Sequence, residues 1–230
     1  MIVRGIKGKH IIYLGDSREA EFSRDFDLVI TSPPFYHPTG KKPMAGVSLP
    51  TRSLDEYCLF VARVLARAAK GMRRGGPICI IKTDVWYRRS LIPIGYKIIE
   101  ACESEGMSAT SHWIWQRRNF YSPYSPSFSN VFLLSCGKPN FKTQKSGLIA
   151  TLSNTKTQPR GFAPAIFERL IADLTMRDSI VLDPFLGTGS VTLAAAQLGR
   201  WSAGVERSRA QLSVAKCMLS SIPKLAFKSL

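Results

Sequence analysis

The sequence predicts an α/β fold in which helices cover both faces of a mostly parallel sheet. Short apolar segments that stop at turn residues alternate along the chain with longer segments whose apolar residues recur at helical spacing. A glycine-rich turn stands between one such strand and the helix after it, the usual arrangement of a ligand-binding α/β unit. With 230 residues, of which 45% are hydrophobic, the chain is long enough for a single domain with a sizeable core.

The amino-terminal part of the chain is predicted to contain five strands and two helices. Each strand is a mainly apolar run that turn or polar residues bound, and each helix repeats apolar residues at helical spacing. The first helix is expected to end at Gly75 and Gly76. The predicted strands are residues 11–14, 26–30, 78–81, 111–115 and 131–135, and the predicted helices are residues 54–72 and 93–105.

The carboxyl-terminal part alternates in the same way after a polar segment. Residues 138–160 are rich in Lys, Asn, Thr, Gln and Ser, so they are interpreted as a linker or irregular loop, and residues 36–52 are interpreted as another loop. Beyond them, the pattern predicts strands at residues 179–183 and 202–206 and helices at residues 164–174, 190–198 and 209–221.

A glycine-rich turn, Asp-Pro-Phe-Leu-Gly-Thr-Gly-Ser at residues 183–190, connects a predicted strand to a predicted helix. Glycines there allow backbone amides to approach a ligand closely, and the start of the helix favours a carboxylate or another anionic group. Glu206 ends the next strand, where its carboxylate can accept hydrogen bonds from both hydroxyls of a ribose. The turn lacks the lysine of a phosphate-binding loop, and a turn without any ligand is the alternative.

A second turn, Thr-Ser-Pro-Pro-Phe-Tyr at residues 31–36, also ends a strand. Pro33 and Pro34 have no N–H to donate, so the Ser32 hydroxyl and the neighbouring carbonyls are left as hydrogen-bond acceptors. Two acceptors beside an aromatic ring suit the exocyclic amine of a nucleobase that stacks on Phe35. The alternative is a rigid strand end whose phenylalanine belongs to the core.

Together, the segments at residues 32–35 and 183–190 resemble the two signature motifs of the amino-methyltransferases of DNA. Their order, with the catalytic motif first, resembles the permuted β group of that family, and Thr-Ser-Pro-Pro-Phe resembles its N4-cytosine members from restriction–modification systems. The resemblance implies a doubly wound, seven-stranded, Rossmann-like sheet with circularly permuted motif order, and S-adenosyl-L-methionine as the cofactor. It also implies one domain over residues 1–230, with a catalytic half at 1–115, a short basic target-recognition or linker region at 116–158 and a cofactor-binding half at 159–230.

The resemblance assigns the cofactor to the strand ends around the glycine-rich turn. Residues 183–190 would surround its methionine part, with Glu206 at its ribose and Asp16 at its adenine amine. Phe162 and Pro164 would close over the methionine end. The residues implied in cofactor binding are Asp16, Ser17, Thr31, Phe162, Pro164, Asp183, Pro184, Phe185, Gly187, Gly189, Ser190, Glu206 and Arg207.

The chemistry expected from the resemblance is direct methyl transfer to the exocyclic amine of a base that has left its stack. Ser32 Oγ and the Pro33 carbonyl would accept hydrogen bonds from the amine and aim its lone pair, while Phe35 would stack on the base. Pro34 completes the catalytic motif. Asp84, at the end of the next strand, is a candidate to accept or relay the proton, with a solvent-facing acid as the alternative. No Pro-Cys pair occurs, which argues against carbon-5 methylation.

Lys and Arg (32) exceed Asp and Glu (16), and the net charge of +16 points to a polyanionic partner such as nucleic acid. No acidic residue occurs between Glu105 and Glu168, where basic and aromatic residues alternate as in a surface that grips phosphates and stacks bases. A solvated loop with core aromatics is the alternative. The candidate nucleic-acid contacts are Tyr36, His37, Lys41, Lys42, Arg117, Arg118, Tyr121, Lys142 and Lys145.

The resemblance implies DNA N4-cytosine as the expected target, with N4-cytidine in ribosomal RNA as the first alternative and DNA N6-adenine as the second. A basic binding module with a non-functional cofactor pocket would show a damaged motif, and neither motif is damaged. The short recognition region is also compatible with a homodimer in which both subunits contact the target sequence.

The remaining composition predicts a cytoplasmic protein without a metal. No apolar run approaches the roughly 20 residues that span a bilayer, and the start of the chain lacks a signal core. Five cysteines without a Cys-x-x-Cys pair and three histidines indicate neither a disulfide framework nor a zinc site.

Overall fold

The fold is that of a computed structural model, which describes residues 2–36, 53–117, 127–141, 146–151 and 164–229. The strands are β1 (Ile2–Val3), β2 (His10–Leu14), β3 (Glu21–Phe22), β4 (Leu28–Thr31), β5 (Ile78–Lys82), β6 (Val85–Tyr87), β7 (Ser90–Ile92), β8 (Ser108–Arg117), β9 (Phe128–Ser135), β10 (Ser146–Thr151), β11 (Ile180–Asp183), β12 (Trp201–Glu206) and β13 (Leu225–Ser229). The helices are α1 (Leu54–Lys70), α2 (Ile94–Ser104), α3 (Pro164–Leu174), α4 (Ser190–Gln197) and α5 (Arg209–Met218).

Nine strands of the described segments form one central sheet, in the order β10-β8-β9-β5-β4-β11-β12-β2-β13. Strand β9 is antiparallel to both of its neighbours. The other neighbouring pairs are parallel. The sheet is thus mostly parallel, as the alternation of strands and helices predicts, but it has two strands more than the seven expected.

The additional strands, β10 and β13, lie at the two edges of the sheet. β10 pairs with β8 inside the segment that the sequence predicts to be a linker, so that prediction is wrong for Ser146–Thr151. An edge strand has one neighbour and is only partly buried, as β13 is, so it lacks the long apolar run that identifies a central strand. The predicted strands all correspond to the inner positions.

Helices pack on both faces of the sheet because successive residues of a strand point to opposite sides. On one face, Val29 of β4 and Ile80 of β5 belong to a core cluster with residues from α1 and α2. On the other face, Ile30 of β4 and Ile81 of β5 pack with residues from α3 and α4. Burial on both faces explains why β4 and β5 are almost entirely apolar in sequence.

Two small two-stranded sheets, β1–β3 and β6–β7, lie outside the central sheet. The second is an antiparallel hairpin that begins three residues beyond the end of β5, and the sequence pattern does not predict it because its strands have only three residues each. In the described part of the chain, no helix is long and apolar enough to cross a membrane.

Candidate active site

The candidate site lies at the carboxyl ends of five inner strands of the central sheet. Five neighbouring strands are parallel, in the order β5, β4, β11, β12 and β2, so their carboxyl ends lie together at one end of the strands. The chain beyond those ends contains most of the residues that the sequence predicts for cofactor and target. In sheet order they are Asp84 after β5, residues 31–36 at β4, residues 183–190 at β11, Glu206 at β12, and Asp16 and Ser17 after β2.

The two motifs meet through a buried hydrogen bond. Thr31 ends β4 and Asp183 ends β11, and these neighbouring strands place the Thr31 hydroxyl 2.7 Å from Asp183 Oδ1, to which it donates. The Phe185 amide donates to the same oxygen at 3.0 Å. Segments that are far apart in the sequence are therefore held at one crevice, as expected from adjacent strand ends.

Asp183 is 3% exposed, and this burial dominates its ionisation. Burial raises the pKa of the Asp183 carboxyl to about 7, although the hydrogen bonds from Thr31 and the Phe185 amide act in the opposite direction. A cationic group brought into the crevice would favour the carboxylate form, so this residue can bind an ammonium group.

The glycine-rich turn uses positive φ angles that side chains rarely adopt. Gly187 has a φ of 55° and Gly189 a φ of 87°. A Cβ on Gly189 would also lie 2.8 Å from a methyl group of Leu219, whereas among the described residues a Cβ on Gly187 would meet the Phe185 carbonyl alone, at 3.9 Å. Gly187 thus leaves the room that a ligand needs beside the start of α4, at Ser190.

Glu206 braces this turn from the neighbouring strand. Its carboxylate accepts the Gly187 amide at 2.9 Å and the Ser208 amide at 2.6 Å. Burial raises the pKa of Glu206, and these amides oppose the rise. Each carboxylate oxygen has a second lone pair, so the contact with ribose hydroxyls that the sequence predicts stays compatible with this geometry.

The loop after β2 is held by contacts that the sequence did not predict. Arg18 binds the Asp16 carboxylate through two guanidinium nitrogens, the shorter contact being 2.6 Å. Burial alone would raise the pKa of Asp16, but the hydrogen bonds and charge of Arg18, together with Arg207, lower it. The Ser17 hydroxyl donates to the Pro184 carbonyl and so ties this loop to the glycine-rich turn.

An aromatic pair forms another wall of the crevice. The ring of Phe185 lies 5.6 Å from the ring of Phe60, a residue of α1, and the Arg18 guanidinium lies 5.9 Å from the Phe60 ring. Phe60 is a candidate ligand contact that sequence reasoning missed. The helical spacing of α1 assigns Phe60 to a buried face, but does not indicate that it meets the glycine-rich turn.

Lys82 is the second residue that sequence reasoning missed. This lysine ends β5 and is 3% exposed, with its Nζ 3.2 Å from the Pro33 carbonyl and 2.8 Å from the Pro34 carbonyl. Tyr57 completes the arrangement, since its hydroxyl lies 2.7 Å from Lys82 Nζ and donates to the Pro34 carbonyl at 2.6 Å. Burial lowers the pKa of Lys82 to about 7.

These contacts fix the Ser-Pro-Pro-Phe turn while leaving its aromatic ring accessible. Phe35 is 53% exposed, and Lys82 Nζ lies 5.6 Å from the centre of its ring. Ser32 is half-buried beside it. The Pro33 carbonyl already accepts Lys82, but a carbonyl oxygen has two lone pairs and can accept a second donor. Phe35 is therefore available for stacking rather than part of the core.

Asp84 has structural partners. It is 4% exposed, and its two oxygens accept the Gly95 amide at the start of α2 at 3.0 Å and the Asn130 side chain at 2.9 Å. The alternative of a solvent-facing acid is therefore wrong. The proton-relay role stays a prediction that these contacts do not favour, because both oxygens already anchor other elements.

Several predicted residues lie outside the described part of the chain or are described by their backbone alone. Tyr36 is described, and its ring lies 5.4 Å from that of Tyr57. Within the described segments, no group of three or more His, Cys, Asp or Glu residues could hold a metal ion. The predicted residues outside the described ranges are His37, Lys41, Lys42, Arg118, Tyr121, Lys142, Lys145 and Phe162, and those with backbone alone are Arg117 and Pro164.

The chain is similar in sequence to known methyltransferases. The N6/N4 methyltransferase family, described as DNA methylase, matches residues 122–216. The chain is 27% identical to the type II methyltransferase M.ScaI of Streptomyces caespitosus, over 89% of this chain and 79% of that protein. It is 22% identical to the type II methyltransferase M.BglII of Bacillus subtilis, over 92% of this chain and 69% of that protein.

Solved structures share the fold at lower identity. TTHA0409 of Thermus thermophilus, named as a DNA modification methylase and solved with S-adenosyl-L-methionine, matches with a TM-score of 0.71 and 21% identity over 96% of this chain and 98% of that one. The cytosine-N4-specific PvuII DNA methyltransferase matches with a TM-score of 0.69 and 16% identity, over 97% and 99% of the two chains. The chain is thus similar in sequence to type II methyltransferases over most of its length and has the mixed α/β fold of structurally known DNA methyltransferases.

Proposed function

We propose that this protein transfers a methyl group from S-adenosyl-L-methionine to the exocyclic N4 amine of cytosine in DNA. The observation that carries the proposal is the 2.7 Å hydrogen bond between Thr31 and Asp183, which holds a turn suited to a base amine against a turn suited to a nucleoside cofactor. Similarity to type II methyltransferases and to the DNA methylase family supports the same reaction class.

The described residues fit the cofactor. The crevice offers a buried acid, Asp183, for an ammonium group, the open position at Gly187 and the start of α4 for a carboxylate, and Glu206 for ribose hydroxyls. S-adenosyl-L-methionine supplies an electrophilic sulfonium methyl group when bound. Phe185 and Phe60 provide apolar surface beside the same crevice.

The catalytic turn positions the target base. The Ser32 hydroxyl and the Pro33 carbonyl accept the two hydrogens of the amine, which draws the nitrogen towards tetrahedral geometry and directs its lone pair at the methyl group. The exposed ring of Phe35 stacks on the base once the base has left its helix. The amine nitrogen would take the methyl group as the methyl–sulfur bond breaks, and the methylated nitrogen would then release one proton to water.

Lys82 and Tyr57 act as positioning residues in this scheme. Their hydrogen bonds to the two proline carbonyls keep the turn in one conformation, so the acceptors are in place before the base arrives. Geometry that is fixed in advance lowers the entropic cost of bringing amine and methyl group together. Neither side chain has to touch the substrate.

Cytosine N4 is preferred because the catalytic motif begins with serine, as in the N4-cytosine enzymes that the sequence resembles. The fold of the cytosine-N4-specific PvuII enzyme is compatible with this choice. The matching family spans both N6 and N4 enzymes, so adenine N6 is the competing product in DNA, and N4-cytidine in ribosomal RNA is the competing polymer.

The decisive experiment identifies the methylated nucleoside. The protein is incubated with radiolabelled cofactor and with duplex DNA, single-stranded DNA or ribosomal RNA, and the products are digested and separated by mass spectrometry. We expect N4-methylcytosine from DNA. N6-methyladenine as the sole product, or transfer to ribosomal RNA alone, would contradict the proposal.

Two variants separate the two halves of the site. Asp183→Ala is expected to abolish cofactor binding in calorimetry. Ser32→Ala is expected to bind cofactor as the wild type does but to lower kcat by about 100-fold, because one acceptor for the amine is lost. Ser220→Ala, which removes an exposed hydroxyl on the loop after α5, is the matched control and should leave both quantities unchanged.

A further inference from the structure

The β6–β7 hairpin lies beside the catalytic turn. It follows β5 at the edge of the sheet where Lys82 contacts the Ser-Pro-Pro-Phe turn, and its inward residues Val85 and Ile92 pack against the main core.

The outward face of the hairpin exposes large apolar side chains. Trp86 and Leu91 are directly opposite each other on the two strands, and they are 45% and 42% exposed. A tryptophan in the middle of a short hairpin would normally be covered by the core, yet here alternation along the strand directs it to solvent. An exposed indole can stack on a nucleobase without regard to sequence.

The tip of the hairpin consists of two arginines in a conformation that arginine disfavours. Arg88 has a φ of 47° and Arg89 a φ of 66°, and the two form a two-residue connection between the paired residues Tyr87 and Ser90. A turn with positive φ at both positions prefers Asn-Gly, and residues with long side chains are strained there. Strain of this kind indicates that the side chains serve another purpose.

The charge of the tip is not neutralised by neighbouring acids. Among the described residues, no salt bridge involves Arg88 or Arg89, and residues 85–92 contain no Asp or Glu. The Arg88 guanidinium lies 5.2 Å from the centre of the Tyr87 ring, and this contact helps to hold the Arg88 side chain against the hairpin. Two cations beside an exposed tryptophan match the phosphates and bases of a nucleic acid.

We infer that the β6–β7 hairpin binds the nucleic-acid substrate next to the target base, with Arg88 and Arg89 on backbone phosphates and Trp86 stacked on a base. The inference rests on the proposed function, and it adds a substrate-binding element in the catalytic half of the chain, separate from the basic region at residues 116–158. A second copy of this chain on Trp86 and Leu91 is disfavoured, since each copy has a net charge of +16.

The test removes the charge of the tip without weakening the turn. The double variant Arg88→Asn/Arg89→Gly introduces the pair that this turn prefers, so the hairpin should fold at least as well as in the wild type. Arg24→Asn/Arg74→Asn removes the same charge near the amino ends of β4 and β5, at the opposite edge of the sheet, and is the matched control. Both full-length proteins are titrated against a fluorescein-labelled DNA duplex of about 24 base pairs and against its single strand.

We expect the hairpin variant to bind DNA about tenfold more weakly and the slope of log Kd against log salt to fall by up to about 1.8, or about 0.9 for each lost phosphate contact. The control variant should change both values less. Trp86→Ala should weaken binding by about 5- to 100-fold with little change in the salt slope, and Trp86→Phe should restore most of it. Cofactor affinity should not change in any of these variants.

The outcomes distinguish the hairpin from the proposed function. Wild-type affinity and salt slope in both the tip variant and Trp86→Ala would overturn the hairpin inference even if the protein methylates DNA normally. Wild-type binding without methyl transfer would overturn the proposed function, while the variants would still test the hairpin. If Trp86→Ala changes the oligomeric state in size-exclusion chromatography but not DNA affinity, the face is a protein interface and the inference is wrong.

Discussion

Lys82 is enclosed beneath the catalytic turn by Tyr57 and two proline carbonyls. A sequence shows a lysine at the end of an apolar strand but not that its amine is buried, because that depends on which loop packs over it. The same holds for Phe60 and Arg18, whose contacts with Phe185 and Asp16 arise only in the folded chain. At this scale the sequence suggests the motif residues as site residues, but it does not indicate the residues that support them.

Replacing Lys82 by methionine tests its positioning role. Lys82→Met keeps the length of the side chain but removes the donor to the Pro33 and Pro34 carbonyls, so we expect kcat to fall about tenfold while cofactor affinity is unchanged. Steady-state kinetics and calorimetry measure the two quantities. Lys70→Met, at an exposed position near the end of α1, is the matched control.

The difference in stability between Lys82→Met and the wild type should change with pH. The Lys82 pKa is lowered from 10.5 to about 7 on folding, so the unfolded chain binds more protons between those values and the contribution of Lys82 to stability rises with pH across that window. The free energy of unfolding of Lys82→Met minus that of the wild type should therefore decrease from pH 7 upwards. A difference that stays constant with pH in urea titrations would contradict the lowered pKa of Lys82.

Asp183 should show the opposite dependence. Its pKa is raised from 3.8 to about 7 in the folded protein, so the folded state binds more protons in that range. Its contribution to stability is fully present below about pH 4 and is lost as pH rises through 7. Relative to Asp183→Asn, the wild type should lose stability between these limits and show no further change above about pH 8, as measured by urea titration in the absence of cofactor.

The affinity for the cofactor should depend on the ionisation of Asp183. An ammonium group beside Asp183 favours the carboxylate, so cofactor affinity should increase by up to about tenfold per pH unit as the pH approaches 7 from below. Calorimetry in buffers of different ionisation enthalpy should detect release of a proton. Asp183→Asn, which cannot ionise, should show neither effect, and a pH dependence that persists in this variant would exclude Asp183 as its source.

At the scale of elements, burial decided which strands could be predicted. The inner strands β4, β5 and β11 are buried on both faces and almost entirely apolar, and they stop at turn or polar residues, so their positions follow from the sequence. The edge strands β10 and β13 and the hairpin strands β6 and β7 are short or partly exposed, and they depend on pairing partners for their identity. The hairpin proposed to bind substrate belongs to this second group.

The position of the glycine-rich turn depends on a close contact between two elements. A Cβ on Gly204 in β12 would lie 2.5 Å from a methyl group of Leu186, a buried residue of the turn whose amide also donates to the Val205 carbonyl at 2.9 Å. We expect Gly204→Ala to lower the free energy of unfolding by about 1–3 kcal/mol and to weaken cofactor binding. Denaturant titration and calorimetry measure these effects.

Gly147→Ala provides the comparison within the same sheet. Among the described residues, a Cβ at Gly147 in β10 would meet Trp113 alone, at an ordinary contact distance of 3.7 Å. This variant should retain the stability and cofactor affinity of the wild type. If Gly204→Ala behaves like Gly147→Ala, the turn is not held by the contact between Leu186 and β12.

At the scale of the whole molecule, the order of strands in the sheet determines which parts of the chain form the site. Residues 31–36 and 183–190 come from the two ends of the sequence, yet parallel pairing of β4 with β11 places them side by side. A sheet of this kind brings ligand-binding loops together at one edge whatever their order in the chain. This juxtaposition follows from the fold that the family resemblance implies, whereas the choice of base depends on contacts of individual side chains.

Because the net charge is +16, binding of DNA and binding of the cofactor should depend differently on salt concentration. Binding of DNA releases counterions in proportion to the number of phosphates contacted, so three contacts would give a slope of about −2.7 in log affinity against log salt and a loss of about 40-fold between about 50 and about 200 mM salt. Binding of the small cofactor in a crevice with buried acids should change far less. We therefore expect the KM for DNA to rise steeply with salt while the Kd for S-adenosyl-L-methionine stays within about twofold. Parallel salt dependences for the two ligands would mean that salt acts on the fold and not on a phosphate-binding surface, and unfolding measurements over the same salt range would then show a matching loss of stability.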